Sequence, residues 1–251
     1  MMGPYAGANN STGSYNNFFG QSSGYYNTTG SYNNFLGYYA GVCNSTGSCN
    51  NIIGYNAGYY NCGGESNDFI GQGAGYNNTE GYRNDFFGYY AGNCNTTGRY
   101  NVAIGAYTYG PTTGCGNFLG GYSAGYGGMN DSSYNNFIGW YAGGYGDQGN
   151  SYCNNIIGYL AGAYNCNGYN NNFFGSGAGY NNNGGGSYNN FFGYYVGYYN
   201  TSGEYNNAIG YEALYSNTTG SSNNAIGYYA GGQNITGSYN TFFGNSAGQS
   251  N

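Results

Sequence analysis

Ser14-Tyr15-Asn16-Asn17-Phe18-Phe19-Gly20 is followed 17 residues on by Ser31-Tyr32-Asn33-Asn34-Phe35-Leu36-Gly37, and after a further 17 by Ser48-Cys49-Asn50-Asn51-Ile52-Ile53-Gly54. The closing glycine of this motif recurs along the whole chain, at Gly20, Gly37, Gly54, Gly71, Gly88, Gly105, Gly120, Gly139, Gly158, Gly175, Gly193, Gly210, Gly227 and Gly244. Nine of the thirteen steps are 17 residues, and the other four (15, 19, 19 and 18) fall between Gly105 and Gly193. Taking this glycine as position 0, position −4 is Asn in every copy but one, where Gly116 stands. Position −1 is always Phe, Ile or Leu, position −2 is Phe, Ile or Ala, position +3 is mostly Ala and position +4 mostly Gly.

A unit of 17 residues is too short for a helix pair or a propeller blade, and a fixed period is the signature of a repeat architecture. It suits one coil of a solenoid, with a short strand from the β-favouring Asn-Phe-Ile stretch and corners at the glycines, which accept positive φ without a steric cost. The fold expected is all-β: a parallel β-solenoid, β-roll or β-helix, of about 14–15 coils, one domain over residues 1–251 with irregular coils over about 106–193. Coils stacked about 4.8 Å apart would make a rod of roughly 70 Å.

Successive residues of a strand face opposite ways, so positions −2 and −1 cannot both fill a narrow interior. The constancy of position −1 marks it as the core column. The column at −2, comprising Phe18, Phe35, Phe69, Phe86, Phe118, Phe137, Phe173, Phe191 and Phe242, is then expected outside as a lateral interface, since an apolar stripe of that length on a monomer signals a partner. A wide core holding both columns is the competing arrangement. The asparagines at −4 are expected to stack as an amide ladder. Tyrosines at −5 (Tyr15, Tyr32, Tyr188, Tyr205) and at +1 and +2 (Tyr38, Tyr39, Tyr194, Tyr195) form partial ladders, suited either to stiffening the rod or to contacts with sugars or other fibres.

The chain has 54 Gly and 38 Tyr in 251 residues, 4% charged residues and a net charge of −6. It has neither Lys nor His, and its two cations are Arg83 and Arg99. A protein that cannot neutralise several phosphates does not bind nucleic acid by the usual electrostatics, and an anionic membrane surface is disfavoured likewise. No apolar run is long enough to insert in a membrane. Without His or Lys the common general bases and activated nucleophiles are missing, so no enzyme is expected. The carboxylates Asp68 and Asp85, which replace Asn at −3 in adjacent coils with Glu65 and Glu80 nearby, are the one titratable cluster. Like charges so placed cannot both ionise cheaply. They would share a proton, pair with Arg83 or hold a structural Ca²⁺ ion.

The segments Asn101-Val102-Ala103-Ile104-Gly105, Asn206-Asn207-Ala208-Ile209-Gly210 and Asn223-Asn224-Ala225-Ile226-Gly227 resemble the Ser-Val-Ala-Ile-Gly signature of trimeric autotransporter adhesin heads. The Asn-Asn-Phe-Ile-Gly and Tyr-Tyr-Ala-Gly pieces are similar to repeats in bacterial surface proteins and phage tail fibres. The resemblance implies a left-handed parallel β-roll, a homotrimer and a place at the cell surface.

Seven cysteines in so polar a chain point to an oxidising compartment and so to an extracellular or cell-surface location. The start, Met1-Met2-Gly3-Pro4-Tyr5, lacks a basic flank and an apolar core, so an export signal would already have been removed. Cys49 and Cys62, and Cys153 and Cys166, share a 13-residue separation at the same positions of the repeat and are read as two equivalent disulfides. Cys94 and Cys115 are a third candidate pair, leaving Cys43 odd or paired with Cys49. Asn-x-Ser/Thr recurs at position +7, at Asn10, Asn27, Asn44, Asn95, Asn200, Asn217 and Asn234. These are candidate glycosylation sites along one edge, unless they serve as Asx turns. The repeat runs from Gly3 past Gly244 with no distinct cap, an arrangement that favours end-to-end addition. The function expected is a structural subunit of a self-associating extracellular filament or surface stalk. The alternatives are a receptor- or glycan-binding rod of the adhesin or tail-fibre type and an ice-binding solenoid.

Overall fold

The computed structural model describes residues 2–127, 130–144 and 150–249. The chain forms two compact units, Met1–Tyr122 and Ser123–Asn251. In the first, seven short strands follow in order: β1 (Asn17–Phe19), β2 (Asn34–Leu36), β3 (Asn51–Ile53), β4 (Asp68–Ile70), β5 (Asp85–Phe87), β6 (Val102–Ile104) and β7 (Phe118–Gly120). Each pairs in parallel with the next, like position over like position: Asn17 with Asn34, Phe18 with Phe35, Phe19 with Leu36. The second unit repeats the design with β8 (Asn136–Ile138), β9 (Asn155–Ile157), β10 (Asn172–Phe174), β11 (Asn190–Tyr194), β12 (Asn207–Tyr211), β13 (Asn224–Ile226) and β14 (Thr241–Phe243). Its strands pair in parallel and in sequence from β8 to β14. No helix occurs among the described residues. This is the parallel β-solenoid with a 17-residue coil.

Two expectations are corrected. The phenylalanines at −2 are the core and not an outer interface: Phe18, Phe35, Phe69, Phe86, Phe173 and Phe191 are wholly buried, and Phe137 and Phe242 nearly so. Position −1 faces out instead, with Leu36 51% and Ile209 48% exposed, so a wide core holding both columns is excluded as well. The reason lies across the coil. The small residues at +3 and +4 leave a slot deep enough for a ring, and the residue facing that slot is −2. The second correction concerns Phe118. In β7 it is Leu119 that pairs with the buried Ala103, while Phe118 pairs with Val102 on the outer face. That coil therefore closes at Gly121, with φ 120°, and position −4 is Asn117. The Asn column has no exception among the fourteen coils.

From position 0 to +7 the chain runs through three overlapping turns, seen in the bonds Ser23 N–H to Gly20 O (3.3 Å), Tyr25 N–H to Ser22 O (3.3 Å) and Asn27 N–H to Gly24 O (3.0 Å). These turns need left-handed residues at +2 and +4, and a third lies at −5. Tyr39 (φ 56°) and Tyr90 (φ 51°) take the +2 corner, and Tyr15 (φ 58°) and Tyr188 (φ 58°) the −5 corner. Each costs on the order of 1–2 kcal/mol relative to the right-handed form. The cost is tolerated because the preceding coil holds the corner residue: Tyr39 N–H donates to Gln21 O at 3.1 Å and Tyr32 N–H to Ser14 O at 2.9 Å.

The interior is half hydrocarbon and half amide. On the hydrocarbon side the −2 rings stack coil over coil, Phe69 on Phe86 with centroids 5.0 Å apart and planes 6° from parallel, and Phe173 on Phe191 at 5.1 Å and 8°. The +4 glycine packs against these rings. A Cβ on Gly41 would lie 2.6 Å from Phe35 Cε2, and one on Gly92 would run into the Phe86 ring. Two coils depart from this rule, with Tyr109 and Leu214 at +4, and Leu214 (φ 51°) is fully buried. The −2 residues of that coil and the next are Ala208 and Ala225, so the leucine occupies the volume that two phenylalanines vacate, a swap that conserves core volume.

The amide side holds two asparagine ladders. At −4 the backbone N–H of each rung bonds to the rung before it, and in many rungs the side chain does so too: Asn50 backbone N–H donates to Asn33 Oδ1 at 3.0 Å and its Nδ2 to the same oxygen at 3.2 Å. Its Nδ2 also donates to Gly64 O at 2.7 Å, which anchors the turn that closes the coil. At +7, Asn44 Nδ2 donates to Asn27 Oδ1 at 2.6 Å and to Gly47 O at 2.9 Å. Buried polar groups persist only when so satisfied.

Candidate functional surface

In the extended strands β11 and β12 the outward residues are −3, −1 and +1, and register carries these columns from coil to coil within each unit. Position −3 is a third amide ladder, on the outside. Asn17 Nδ2 donates to Asn34 Oδ1 and Asn34 Nδ2 to Asn51 Oδ1, both at 2.8 Å, and Asn51 Nδ2 donates to Asp68 Oδ1 at 2.7 Å. The second unit continues alike, as in Asn172 Nδ2 to Asn190 Oδ1 at 2.7 Å. Beside this ladder runs the exposed apolar column at −1, where Phe174 stacks on Phe192 at 5.0 Å. Beyond it runs the tyrosine column at +1, where Tyr194, Tyr211 and Tyr228 stack at 5.1 Å per step. Sequence reasoning placed the −1 column inside and so missed this face. The signal was available: −4 and −2 share one side of the strand, and a ladder of invariant asparagines needs the dry side.

Among the described residues of these three columns, Asp68 and Asp85 alone are charged. They stand directly over one another in register. Burial, and then the neighbouring Asp68, push the Asp85 carboxyl above its usual value. Arg83 does not neutralise them: its Nη1 donates to Tyr100 OH at 3.1 Å, and its guanidinium lies over the Tyr100 ring. Arg99 pairs in the same way with Tyr82. No group of three or more His, Cys, Asp or Glu side chains that could hold a metal occurs among the described residues, so the calcium expectation has two carboxylates and no third charged ligand behind it.

The other candidates resolve as follows. Asn27, Asn44, Asn95, Asn200, Asn217 and Asn234 are buried rungs of the +7 ladder, and Asn10 is its half-buried first described rung. Their Nδ2 atoms are committed to the rung before and to the glycine carbonyl of their own turn. A folded coil therefore has no place for a glycan on the six buried ones, and they brace the turn by donating to the glycine carbonyl three residues on and not as Asx turns. The ladder also includes Asn61, Asn78, Asn165 and Asn182. A search for Asn-x-Ser/Thr overlooks them, whereas Asn with glycine three or four residues on finds them.

None of the seven cysteines, Cys43, Cys49, Cys62, Cys94, Cys115, Cys153 and Cys166, is joined in a disulfide. The shared 13-residue spacing is the distance between positions −5 and +8 of the repeat, which both pairs occupy. Cys49 and Cys153 project into solvent from left-handed −5 corners (φ 60° and 57°). Cys62 and Cys166 sit at +8, on the turn that follows the buried +7 asparagine. Cys115 belongs to the column of Arg99, against whose side chain it lies, and not to that of Cys94.

The tyrosine ladder at −5 is a second exposed surface, with Tyr15 on Tyr32 at 4.9 Å and Tyr188 on Tyr205 at 4.8 Å. Rings stacked so closely cover one another's faces and leave edges and hydroxyls to solvent. No family model, curated protein or solved structure matches the chain.

Proposed function

We propose that the chain is a structural subunit of an extracellular fibre or surface stalk, in which solenoids associate side by side through the outer face of their strands. The observation that carries this reading is the −1 column, a line of exposed Leu, Ile and Phe side chains flanked by an amide ladder and a tyrosine ladder. Within one unit, seven rungs at about 4.8 Å and a width of about 15 Å give roughly 500 Å². Face-to-face pairing would bury about 1,000 Å², the lower bound of a specific interface. Identical side chains at identical spacing on both partners favour the dry interdigitation of stacked sheets. The resemblance of β6, β12 and β13 to adhesin-head repeats agrees with a surface fibre. The stacking of the +1 and −5 rings argues for stiffness over sugar recognition, because a sugar needs an open ring face.

The test is sedimentation and electron microscopy of the intact protein beside the triple variant Leu36→Ser, Ile209→Ser, Ile226→Ser. The wild type is expected to form lateral assemblies, and the variant to keep its circular dichroism and lose them. A wild type that is ordered yet monomeric at high concentration would overturn the proposal.

A further inference from the structure

The outer ladder works because every rung both donates and accepts. An asparagine at −3 gives an N–H to the rung after it and receives one from the rung before. The run from Asn17 reaches Asp68, which accepts from Asn51 Nδ2 at 2.7 Å. The next rung is Asp85, in register. An ionised carboxylate has no hydrogen to give, so two ionised rungs leave the 68–85 step without a bond and set like charges one coil spacing, about 4.8 Å, apart. A single proton repairs both defects, since a protonated carboxyl donates and accepts as an amide does. Beyond Asp85 the column turns apolar, with Val102 and then Phe118, which withholds water from one side of the carboxyl.

We propose that Asp68 and Asp85 hold one proton between them as a link of the outer ladder, and that this proton sets the pH at which the outer faces associate. The second half rests on the lateral reading above; the first does not. The groups around the pair are Asn51 and Val102 in the same column, Ile70, Phe87, Gln72 and Tyr89 on the flank toward −1 and +1, and on the other flank Ser66 and Arg83 at −5 with Glu65 and Tyr82 at −6. Arg83 is taken by Tyr100. The upward push on the Asp85 carboxyl agrees with a proton held there. A carboxyl whose affinity for a proton rises on folding stabilises the fold while protonated. That contribution is present at acid pH and is lost as the pH rises through the raised value. The same protonation removes charge from an otherwise neutral face, so the link and the association strengthen in the same direction.

The experiment follows the aspartate side-chain carboxyl carbons by NMR in the intact protein, with thermal midpoint and sedimentation measured alongside, from about pH 7 to about pH 2, a window that spans the ordinary aspartate value of about 3.9. The pair is expected to lose its protons in two separated steps, the later one above the ordinary carboxylate range. Asp68→Asn supplies a permanent donor. It is expected to raise the midpoint at neutral pH and to abolish the separated step. The double variant Asp68→Asn, Asp85→Asn is expected to associate equally well across the window, where the wild type associates more strongly at acid pH. A single ordinary titration for both carboxyls, or a neutral-pH midpoint lowered by Asp68→Asn, would overturn the link. Wild-type association that ignores pH would overturn its coupling to the face. Absence of association at every pH would remove the lateral reading and with it the coupling, and the carboxyl titration would still decide the link.

Discussion

Replacing Asn50 by Ala tests whether the buried amides hold the coils together. Asn50 is fully buried and spans two joints. Its Oδ1 accepts from Asn67 backbone N–H at 3.0 Å and from Asn67 Nδ2 at 3.1 Å. Its own Nδ2 donates to Gly64 O at 2.7 Å. In Asn50→Ala the Asn67 N–H is left without a partner in a dry interior, which costs about 1–3 kcal/mol. Gly64 O keeps the bond from Asn61 Nδ2, Asn67 Nδ2 keeps Gly81 O, and Asn33 Oδ1 keeps the backbone N–H of residue 50. Each of these three groups therefore loses only one of its bonds, worth about 0.5–1 kcal/mol. The void left by the carboxamide adds about 1 kcal/mol. The sum is about 3.5–7 kcal/mol. Asn51→Ala is the control one residue away: the same chemistry is removed from the outer ladder, where water substitutes, and the cost stays below about 1 kcal/mol. Urea unfolding followed by circular dichroism reads the difference, and amide exchange at Asn67 reports whether the loss is local. If Asn50→Ala fell within about 1 kcal/mol of Asn51→Ala, the claim that the inner ladder is structural would be refuted.

Phe86→Ala should cost about 3–5 kcal/mol, and adding Gly92→Leu should recover part of it, because Ala103 in the next coil then completes the arrangement seen at Ala208, Leu214 and Ala225; urea midpoints check both steps. In wild type, Gly92→Leu alone should be destabilising, since its side chain would meet the Phe86 ring. Tyr215, its hydroxyl pushed up to about 12 first by burial and then by its bond with Tyr199, should remain protonated after most other tyrosines have ionised. Tyr215→Phe should remove that last step from an absorbance titration, and the stability tied to the neutral hydroxyl should fade as pH rises from about 10, the free value, toward it. Cys49 and Cys153 should react at once with a thiol reagent under native conditions, and Cys94, whose thiol burial pushes up, should lag well behind, as mass spectrometry of timed samples would show.

Much of the coil was legible because every coil repeats the same demands. The period, the strand at Asn-Phe-Phe, the corners at 0 and +4 and the Asn column at −4 all follow from glycine freedom and β preference. The choice between −2 and −1 did not follow from apolarity, because both columns are apolar. It is settled by what lies opposite, the Ala and Gly at +3 and +4, a partner distant along the chain and adjacent in space. Tyr39 and Tyr188 at left-handed corners were equally hidden, since propensity disfavours tyrosine there and only the neighbouring coils make the conformation hold. Asn27 and Asn217 carried a sequon that local pattern alone could not distinguish from a turn. The spacing of Cys49 from Cys62 suggested a bond where it reflected only positions −5 and +8 of the repeat. Of the candidate surface, the tyrosine column at +1 was foreseen, and the aliphatic column beside it was placed on the wrong side of the backbone.

The direction of the three amide columns has an electrical consequence. In the two inner columns each amide donates toward the preceding coil, as Asn44 does to Asn27, whereas in the outer one it donates toward the following coil, as Asn17 does to Asn34. Aligned amides sum their dipoles as they do along a helix axis. Here one column opposes one of the other two, so each added coil contributes the moment of about one side-chain amide instead of three. Lengthening such a structure by duplicating coils would therefore accumulate terminal polarity slowly.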